Sequence, residues 1–320
     1  MIEPASPLPA VGAVATGPLQ LGATLYVPAT RPDLMAIATG QRWPALRSVV
    51  FCLEDAVLPA AVPAALANLA ALLNGLAAAG SAGTSRPLLF ARPRDPAMLA
   101  AISTMPGVPA LAGFVVPKAT AATFPLWLAQ LRHDQHLLMP PLETREAFDP
   151  DAVRQLRDQL IAVRQRIGVV RIGGNDLLQT LGIRQSRQGT AYDGPLGPLI
   201  GQLVGQFLPW GLPMSAPVFD AFGDTDRLLA EVARDLDHGL TTKTAIHPDQ
   251  IAPIQEAYRV DPDDHAEALA ILAPECPAVF AQHGRMNEPA THRAWAQAIV
   301  ARAAAFGLRD RPQPPLALVG

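Results

Sequence analysis

Four carboxylate side chains follow short apolar runs of this sequence, at Glu54, Asp55, Glu143 and Asp176. Carboxylates that are held close together repel one another and partly protonate unless a cation lies between them. Oxygen ligands of this kind suit Mg2+, which proteins hold with one or two carboxylates plus water and substrate. Because Glu143 and Asp176 follow successive runs directly, we expect them to bind Mg2+, or Mn2+ in its place.

Basic side chains occupy similar positions. Arg31 and Arg92 could each recognise a carboxylate or a phosphate with two parallel hydrogen bonds. A metal ion held by carboxylates, with arginines beside it, is typical of a site for a small anionic oxo or hydroxy acid, whose carbonyl the metal polarises. The simpler alternative is that charges collect wherever a strand reaches solvent. The full set of charged residues at these places is Arg31, Glu54, Asp55, Arg92, Arg94, Lys118, Glu143, Asp176, Asp220, Lys243 and His247.

The elements that position these residues repeat along the chain. Each apolar run is followed by a helical pattern, and helix-start signals such as Asp95-Pro96 and Asp149-Pro150 stand between them. Strand alternating with helix predicts a parallel sheet, and eight such units fit a closed (β/α)8 barrel, in which catalysis occurs at the carboxyl ends of the strands. The eight predicted strands are 23–28, 48–53, 87–91, 113–117, 136–140, 168–172, 212–218 and 241–246.

A doubly wound sheet is the competing architecture. It would place a glycine-rich phosphate turn after the first strand, whereas residues 28–32 contain no glycine. The domain prediction is therefore a flexible arm at 1–20, a catalytic barrel at 21–258 and a C-terminal helical extension without strands at 259–320. Many of the 33 prolines then end strands or start helices.

Composition excludes several classes of protein. Of the 320 residues 50% are hydrophobic and 17% charged, and the net charge of -3 gives no basic field for nucleic acid or an anionic membrane. Two cysteines cannot form a disulfide framework, which favours a reducing compartment, the cytoplasm. The apolar stretch at 64–79 is built on alanine and interrupted by Asn68, Asn74 and Gly75, so we expect no membrane span.

Seven segments resemble, in order, the citrate lyase β-subunit-like proteins of the HpcH/HpaI aldolase family. They cover most of the chain from about residue 23 to 300. The segments are 25–32 (LYVPATRP), 51–57 (FCLEDAV), 114–118 (FVVPK), 142–144 (LET), 172–177 (IGGNDL), 243–251 (KTAIHPDQI) and the C-terminal stretch around 284–293.

The resemblance implies a TIM barrel, a homotrimer or hexamer, that makes or breaks a carbon–carbon bond with Mg2+. It implies Glu143 and Asp176 as metal ligands and Arg92 as the arginine that binds the oxo-acid. It further implies that Glu54 and Asp55 order metal-bound water. Two positions at the rim of the barrel, Arg31 and Lys118, correspond to residues that touch substrate or a coenzyme A arm, and Gly174 would allow close backbone approach.

The sequence also departs from the family pattern. Ala29 and Thr30 replace Gly-Asn, Cys52 replaces an aspartate and Asn175 replaces a glutamate. The departures leave the substrate outside the metal core open, including the use of coenzyme A.

Three further residues have alternative interpretations. His247 precedes a proline at a helix start, which favours a capping or subunit-contact role over acid–base chemistry. Asp220 is either a base near the metal or a loop hydrogen-bond acceptor. Cys52, inside an apolar run, is expected to be a buried small hydrophobe.

The resulting hypothesis is a Mg2+-dependent carbon–carbon lyase. It would act by aldol or Claisen chemistry on a small hydroxy or oxo dicarboxylic acid or its coenzyme A thioester. The alternatives are phosphoryl-transfer chemistry of the phosphoenolpyruvate type on a similar barrel, or a metal-binding, non-catalytic subunit of a biosynthetic complex.

Overall fold

Short parallel strands of apolar residues build the centre of the molecule. The computed structural model describes residues 17–79 and 86–310. Its parallel strands form a six-stranded sheet in the order β5-β4-β3-β2-β1-β9 and a three-stranded sheet in the order β6-β7-β8. These strands are β1 Ala23–Pro28, β2 Ser48–Cys52, β3 Leu88–Arg92, β4 Gly113–Val115, β5 Leu137–Met139, β6 Pro141–Leu142, β7 Val170–Ile172, β8 Met214–Ser215 and β9 Lys243–Ala245.

Two single bridges join these sheets into a closed barrel. Leu138 pairs with Ile167 at one junction, and Ala216 pairs with Lys243 at the other. β5 and β6 are halves of one strand interrupted at Pro140, which has no N–H to donate. With these two halves counted as one, eight parallel strands close the ring in the described part of the chain. The predicted (β/α)8 barrel is confirmed.

Helices connect the strands and cover the barrel. The predicted helix starts are confirmed at Asp95, which accepts a hydrogen bond from the N–H of Met98, and at Asp149, which accepts one from the N–H of Asp151. The helices are α1 Pro18–Leu21, α2 Leu34–Ala38, α3 Val62–Ala79, α4 Pro96–Ser103, α5 Phe124–Leu128, α6 Pro150–Ala162, α7 Gly174–Thr180, α8 Leu196–Phe207, α9 Thr225–Asp237, α10 Ile251–Ala257, α11 Pro262–Leu272 and α12 Pro289–Phe306.

The two faces of each strand pack into different cores. Side chains such as Val49, Phe51 and Leu89 pack with the surrounding helices in the larger hydrophobic cluster. The alternate residues, together with Leu21 at the end of α1, form a smaller cluster, which is the barrel interior. Its members are Leu21, Val50, Phe90, Val115, Met139 and Val169.

The strand predicted at 212–218 is shorter than expected. Only Met214–Ser215 forms a strand, with a single bridge at Ala216, because Pro213 and Pro217 on either side cannot donate to a ladder. The predicted arm at 1–20 lies mostly outside the described residues, and its described part leads into α1.

The C-terminal extension contains a hairpin as well as helices. Strands β10 Phe280–Gln282 and β11 Arg285–Asn287 pair antiparallel around His283 and Gly284, which both have positive φ. The expectation of an extension without strands was therefore wrong. Three-residue strands give too short an alternation to be detected in sequence, and the His-Gly turn was the remaining signal.

Helix α3 qualifies as a candidate membrane span by length and composition. It is the only such helix among the described residues, and with its first turn it runs over Pro59–Ala79 at a mean hydropathy of 1.6. Length and composition alone do not test the expectation that this stretch spans no membrane. A core helix of a barrel passes the same test, and the side chains of Leu69, Leu72, Leu73 and Leu76 are buried in the larger cluster.

A buried ion cluster fixes α9 against β9. The fully buried ammonium group of Lys243 lies 2.8 Å from a carboxylate oxygen of Glu231 and 2.8 Å from one of Asp235. The hydroxyl of Tyr192 donates to Asp235 over 2.7 Å, and the N–H of Ala191 donates to Glu231 over 2.7 Å. This cluster lies between the barrel wall and α9, so Lys243 does not reach the carboxyl-end face to which the sequence assigned it.

Replacing Lys243 should destabilise the fold strongly. Lys243→Met leaves two buried carboxylates without their cation, and we expect the free energy of unfolding to fall by about 3–5 kcal/mol. Urea denaturation measures this loss. The control is Arg234→Met, which removes a half-exposed arginine from the same helix and should cost about 1 kcal/mol or less. Equal losses in the two variants would contradict the assigned role.

Candidate active site

A cavity of about 320 Å³ opens at the carboxyl ends of the barrel strands. This barrel cavity extends into the interior between β1, β3 and β7. Arg92 lies two residues beyond the interior residue Phe90, and Arg171 two residues beyond Val169, so both side chains point inward. The polar side chains that line the cavity are Tyr26, Asp55, Arg92, Glu143, Arg171, Asn175, Asp176 and Thr244.

The guanidinium group of Arg92 holds three carboxylates together. Its Nη2 lies 2.9 Å from Glu54, 3.1 Å from Asp55 and 3.3 Å from Glu143. The side chain is 10% exposed, and its Nε–H has no hydrogen-bond partner in the described chain. Burial alone would lower the pKa of Arg92, but the negative charges of Glu143 and Glu54 outweigh burial and raise it. Arg92 is therefore a fixed cation whose Nε–H is free of protein partners among the described residues.

Glu143 is held by the backbone on both sides. Its Oε1 accepts a 2.7 Å hydrogen bond from the N–H of Lys118, whose φ of 52° lies in the left-handed region. A Cβ on Gly173 would lie 2.3 Å from the Cβ of Glu143, so only glycine fits there. Burial and the negative charge of Asp176 raise the pKa of Glu143 to about 7.

Asp176 lies in the first turn of α7, directly after β7. Burial and the negative charge of Asp55 raise its pKa. Gly174 begins the same helix and lines the cavity, and a Cβ there would lie 2.9 Å from the side chain of Pro217. Asp176 and Glu143 are thus two carboxylates that lack enough nearby positive charge.

The loop after β2 supplies the other two acids. Buried Glu54 accepts a 3.1 Å hydrogen bond from the ammonium group of Lys118 and a 2.8 Å bond from the N–H of Asp55. Burial and the neighbouring Asp55 raise the pKa of Glu54. Burial alone would raise the pKa of Asp55. Its hydrogen bond with Glu54 and the positive charge of Arg92 outweigh burial, so the pKa of Asp55 is lowered. Arg94 holds this loop by donating to the carbonyls of Glu54 and Val57.

The structure does not bring every predicted residue to the cavity. Arg31 pairs with Asp33 two residues away, at 2.7 Å, and does not line the cavity. Asp220 pairs with the exposed Arg184 at 3.0 Å. Lys118 is half-exposed and reaches the site through Glu54.

The structure shows the surroundings of His247 and Cys52. The side chain of His247 accepts a hydrogen bond from the N–H of Asp249 at the start of a short helix, so the predicted capping role is confirmed. Its ring also stacks on Phe222, with 4.6 Å between centroids. Cys52 is 2% exposed and burial raises its pKa, as expected for a small buried hydrophobe.

Sequence reasoning missed three polar residues of the cavity: Tyr26, Arg171 and Thr244. The available signal was Arg171, a charge placed inside an otherwise apolar strand. Tyr26 lies under its guanidinium group, with 5.4 Å to the ring centroid. Burial raises the pKa of Tyr26, so its hydroxyl stays protonated and can donate a hydrogen bond.

The donor set fits a hard divalent cation at Glu143 and Asp176. No group of three or more His, Cys, Asp or Glu side chains is arranged to hold a metal within residues 17–79 and 86–310. Mg2+ needs only one or two carboxylates, since water and substrate complete its shell. The raised pKa values of Glu143 and Asp176 are those of carboxylates that a nearby cation would stabilise in their charged form.

Fold and cavity together define an α/β-barrel enzyme with an acidic, arginine-containing site. Residues 15–308 match the family described as "C-C Bond Lyase of the TIM-Barrel fold", and the chain belongs to this family. It is therefore a carbon–carbon lyase. No protein of curated function matches the sequence.

Solved structures with the same fold are citrate lyase β-subunit-like proteins. CitE from Mycobacterium tuberculosis, in complex with magnesium, acetoacetate and coenzyme A, is 23% identical with a TM-score of 0.64, covering 91% of this chain and 99% of CitE. A citrate lyase from Burkholderia xenovorans LB400 is 19% identical with a TM-score of 0.68, covering 92% and 94%. The M. tuberculosis citrate lyase β subunit with oxaloacetate and magnesium is 23% identical with a TM-score of 0.54, covering 77% and 98%. At these identities the likeness concerns the fold.

The raised pKa of Glu143 predicts a pH-dependent stability of the metal-free protein. Its pKa of about 7 exceeds the ordinary value of 4.5, so the folded state holds the proton more tightly than the unfolded chain. This stabilisation is complete below pH 4.5 and is lost as the pH rises through about 7. Glu143→Gln, which is neutral throughout, should therefore lose less stability than the wild type between these two pH values.

Urea denaturation in the presence of a chelator at a series of pH values measures the effect. Glu275→Gln, on an exposed loop, is the matched control and should follow the wild-type curve. Parallel curves for the wild type and Glu143→Gln would show that Glu143 does not titrate with a raised pKa.

Proposed function

We propose that this lyase is Mg2+-dependent and acts by aldol or Claisen chemistry on a small hydroxy or oxo dicarboxylic acid, or on its coenzyme A thioester. The observation that carries the proposal is the convergence of Glu143 and Asp176, both with raised pKa values, on a cavity that Arg92 also lines. The magnesium named with the M. tuberculosis proteins agrees with it. Family membership favours the lyase over phosphoryl-transfer chemistry.

Glu143 and Asp176 would hold the cation through their carboxylates. The chemistry that a divalent cation supplies when bound is polarisation of the substrate carbonyl and stabilisation of the negative charge that develops as the carbon–carbon bond breaks. The backbone N–H of Lys118 donates to Glu143 and fixes the orientation of its carboxylate toward the proposed metal site.

Arg92 would bind the carboxylate next to the reacting carbonyl. Its Nη2 is shared among Glu54, Asp55 and Glu143, whereas its Nε–H has no partner in the described residues. Glu54 and Asp55 would in turn hold water molecules that complete the metal shell. Lys118, which reaches the site through Glu54, would contact substrate or a coenzyme A arm.

Metal binding gives the first test. Calorimetric titration should show Mg2+ binding to the wild type and a loss of affinity of about tenfold or more in the double variant Glu143→Ala, Asp176→Ala, because both carboxylate ligands are gone. The control double variant Asp226→Ala, Asp237→Ala removes two exposed acids of α9 and should bind Mg2+ as the wild type does. Wild-type affinity no better than that of the Glu143, Asp176 double variant would refute the metal site.

Proton exchange gives a test of the chemistry. In deuterated water the protein should exchange the methyl hydrogens of pyruvate only when Mg2+ is present, because exchange requires the enolate that the site is proposed to stabilise. NMR follows the loss of the methyl signal. Exchange that is equally fast with a chelator, or absent with Mg2+, would contradict the proposed chemistry.

A further inference from the structure

The inner end of the barrel cavity contains a buried cation with no anionic partner. Arg171 is 2% exposed, yet within residues 17–79 and 86–310 no carboxylate lies within ion-pair distance of it. Its Nη2 donates to Thr244 Oγ1 over 2.7 Å, and its Nη1 lies 3.7 Å from the sulfur of Met139. Its guanidinium group also lies 5.4 Å from the centroid of the Tyr26 ring.

Such a cation is costly to the folded protein. A buried charge without a counter-ion loses its hydration, and a single hydroxyl and an aromatic face replace only part of it. The pKa of Arg171 is lowered by burial, but a guanidinium group stays protonated in proteins. The other arginine of the cavity shows the contrast, because Arg92 has Glu54, Asp55 and Glu143 as partners.

The position of Arg171 relates it to the proposed metal site. It stands two residues before Gly173, the residue against which Glu143 packs. Arg171 is level with Pro141 in the sheet, and two residues of a strand rise about 7 Å, so the backbone of Arg171 lies deeper in the barrel than that of Glu143 by about the length of a short diacid. Both Arg171 and Glu143 line the same cavity.

We propose that Arg171 binds the distal carboxylate of a dicarboxylic substrate at the inner end of the cavity and so selects dicarboxylic over monocarboxylic acids. This inference rests on the proposed function, in which the other end of the substrate faces Arg92, Glu143 and Asp176. Thr244 positions the guanidinium group, and Tyr26 adds a hydrogen-bond donor beside it.

The test compares two probes that differ in the distal carboxylate. Calorimetric titrations with oxaloacetate and with pyruvate, in the presence of Mg2+, should show oxaloacetate binding about tenfold or more tightly to the wild type. Arg171→Met should lower the affinity for oxaloacetate by about tenfold to a hundredfold and leave that for pyruvate within about twofold. Arg171→Lys keeps the positive charge but cannot form two parallel hydrogen bonds with a carboxylate. Its affinity for oxaloacetate should therefore lie between those of the wild type and Arg171→Met.

Two further variants separate binding from packing. Thr244→Val keeps the charge but frees the guanidinium group, so it should weaken oxaloacetate binding alone, by about threefold. Arg157→Met removes another buried arginine, which pairs with Asp158 and Gln206 on the outside of the barrel, and should change neither affinity. Equal losses for both probes in Arg171→Met or Thr244→Val would overturn the proposal, since they would show a structural role only.

Repeating the titrations with a chelator distinguishes this inference from the proposed function. Oxaloacetate binding that depends on Mg2+ but not on Arg171 would overturn the inference and leave the function standing. Oxaloacetate binding that depends on Arg171 but not on Mg2+ would overturn the proposed function and leave the role of Arg171 standing. A wild type that binds neither probe would overturn both.

Discussion

Carboxylates held close together repel one another, and this barrel places three of them around the guanidinium group of Arg92, with Asp176 lining the same cavity. That one ion network sets the geometry of the active face. It draws Glu54 and Asp55 inward from the loop after β2, and Glu143 inward from the end of β6. The surrounding backbone is shaped to fit: Lys118 takes a left-handed conformation and donates its N–H to Glu143, and Gly173 leaves room for the same side chain. Because Arg92 cannot neutralise every acid, Glu143 and Asp176 retain raised pKa values, and this deficit of positive charge is what a divalent cation would supply.

Charge compensation also explains why two other cations of the fold have different roles. Lys243 is as deeply buried as Arg171, but Glu231 and Asp235 neutralise its charge, and Tyr192 extends the cluster to the loop that precedes α8. Lys243 holds α9 on the barrel and is fully buried away from the cavity. Arg171 has no carboxylate partner in the described residues and faces a cavity. A buried basic residue therefore stabilises packing at Lys243 and is available for substrate recognition at Arg171. The difference lies in whether carboxylates surround it.

Much of this arrangement could be predicted from sequence. The repeated strand–helix units predict the barrel, and a barrel brings the residues after its strands together, which is why Arg92, Glu143 and Asp176 could be named in advance. Arg31 was predicted at the site from its place after a strand, but it forms an ion pair with Asp33 two residues away. The strand pattern does not reveal a local ion pair of this kind. Arg171 was overlooked because a run of apolar neighbours predicts core, whereas strand alternation places this one side chain in the barrel interior. The hairpin of the C-terminal extension was missed because its strands have three residues each.

The claim that Glu143, Asp176, Arg92 and Arg171 form the two ends of one site for a dicarboxylic acid is tested most directly by a crystal structure with Mg2+ and oxaloacetate bound. The structure should show Mg2+ on the carboxylates of Glu143 and Asp176, and the distal carboxylate of oxaloacetate within hydrogen-bonding distance of the guanidinium group of Arg171. A metal bound elsewhere, or an oxaloacetate whose two carboxylates both lie away from Arg171, would contradict this account of the site.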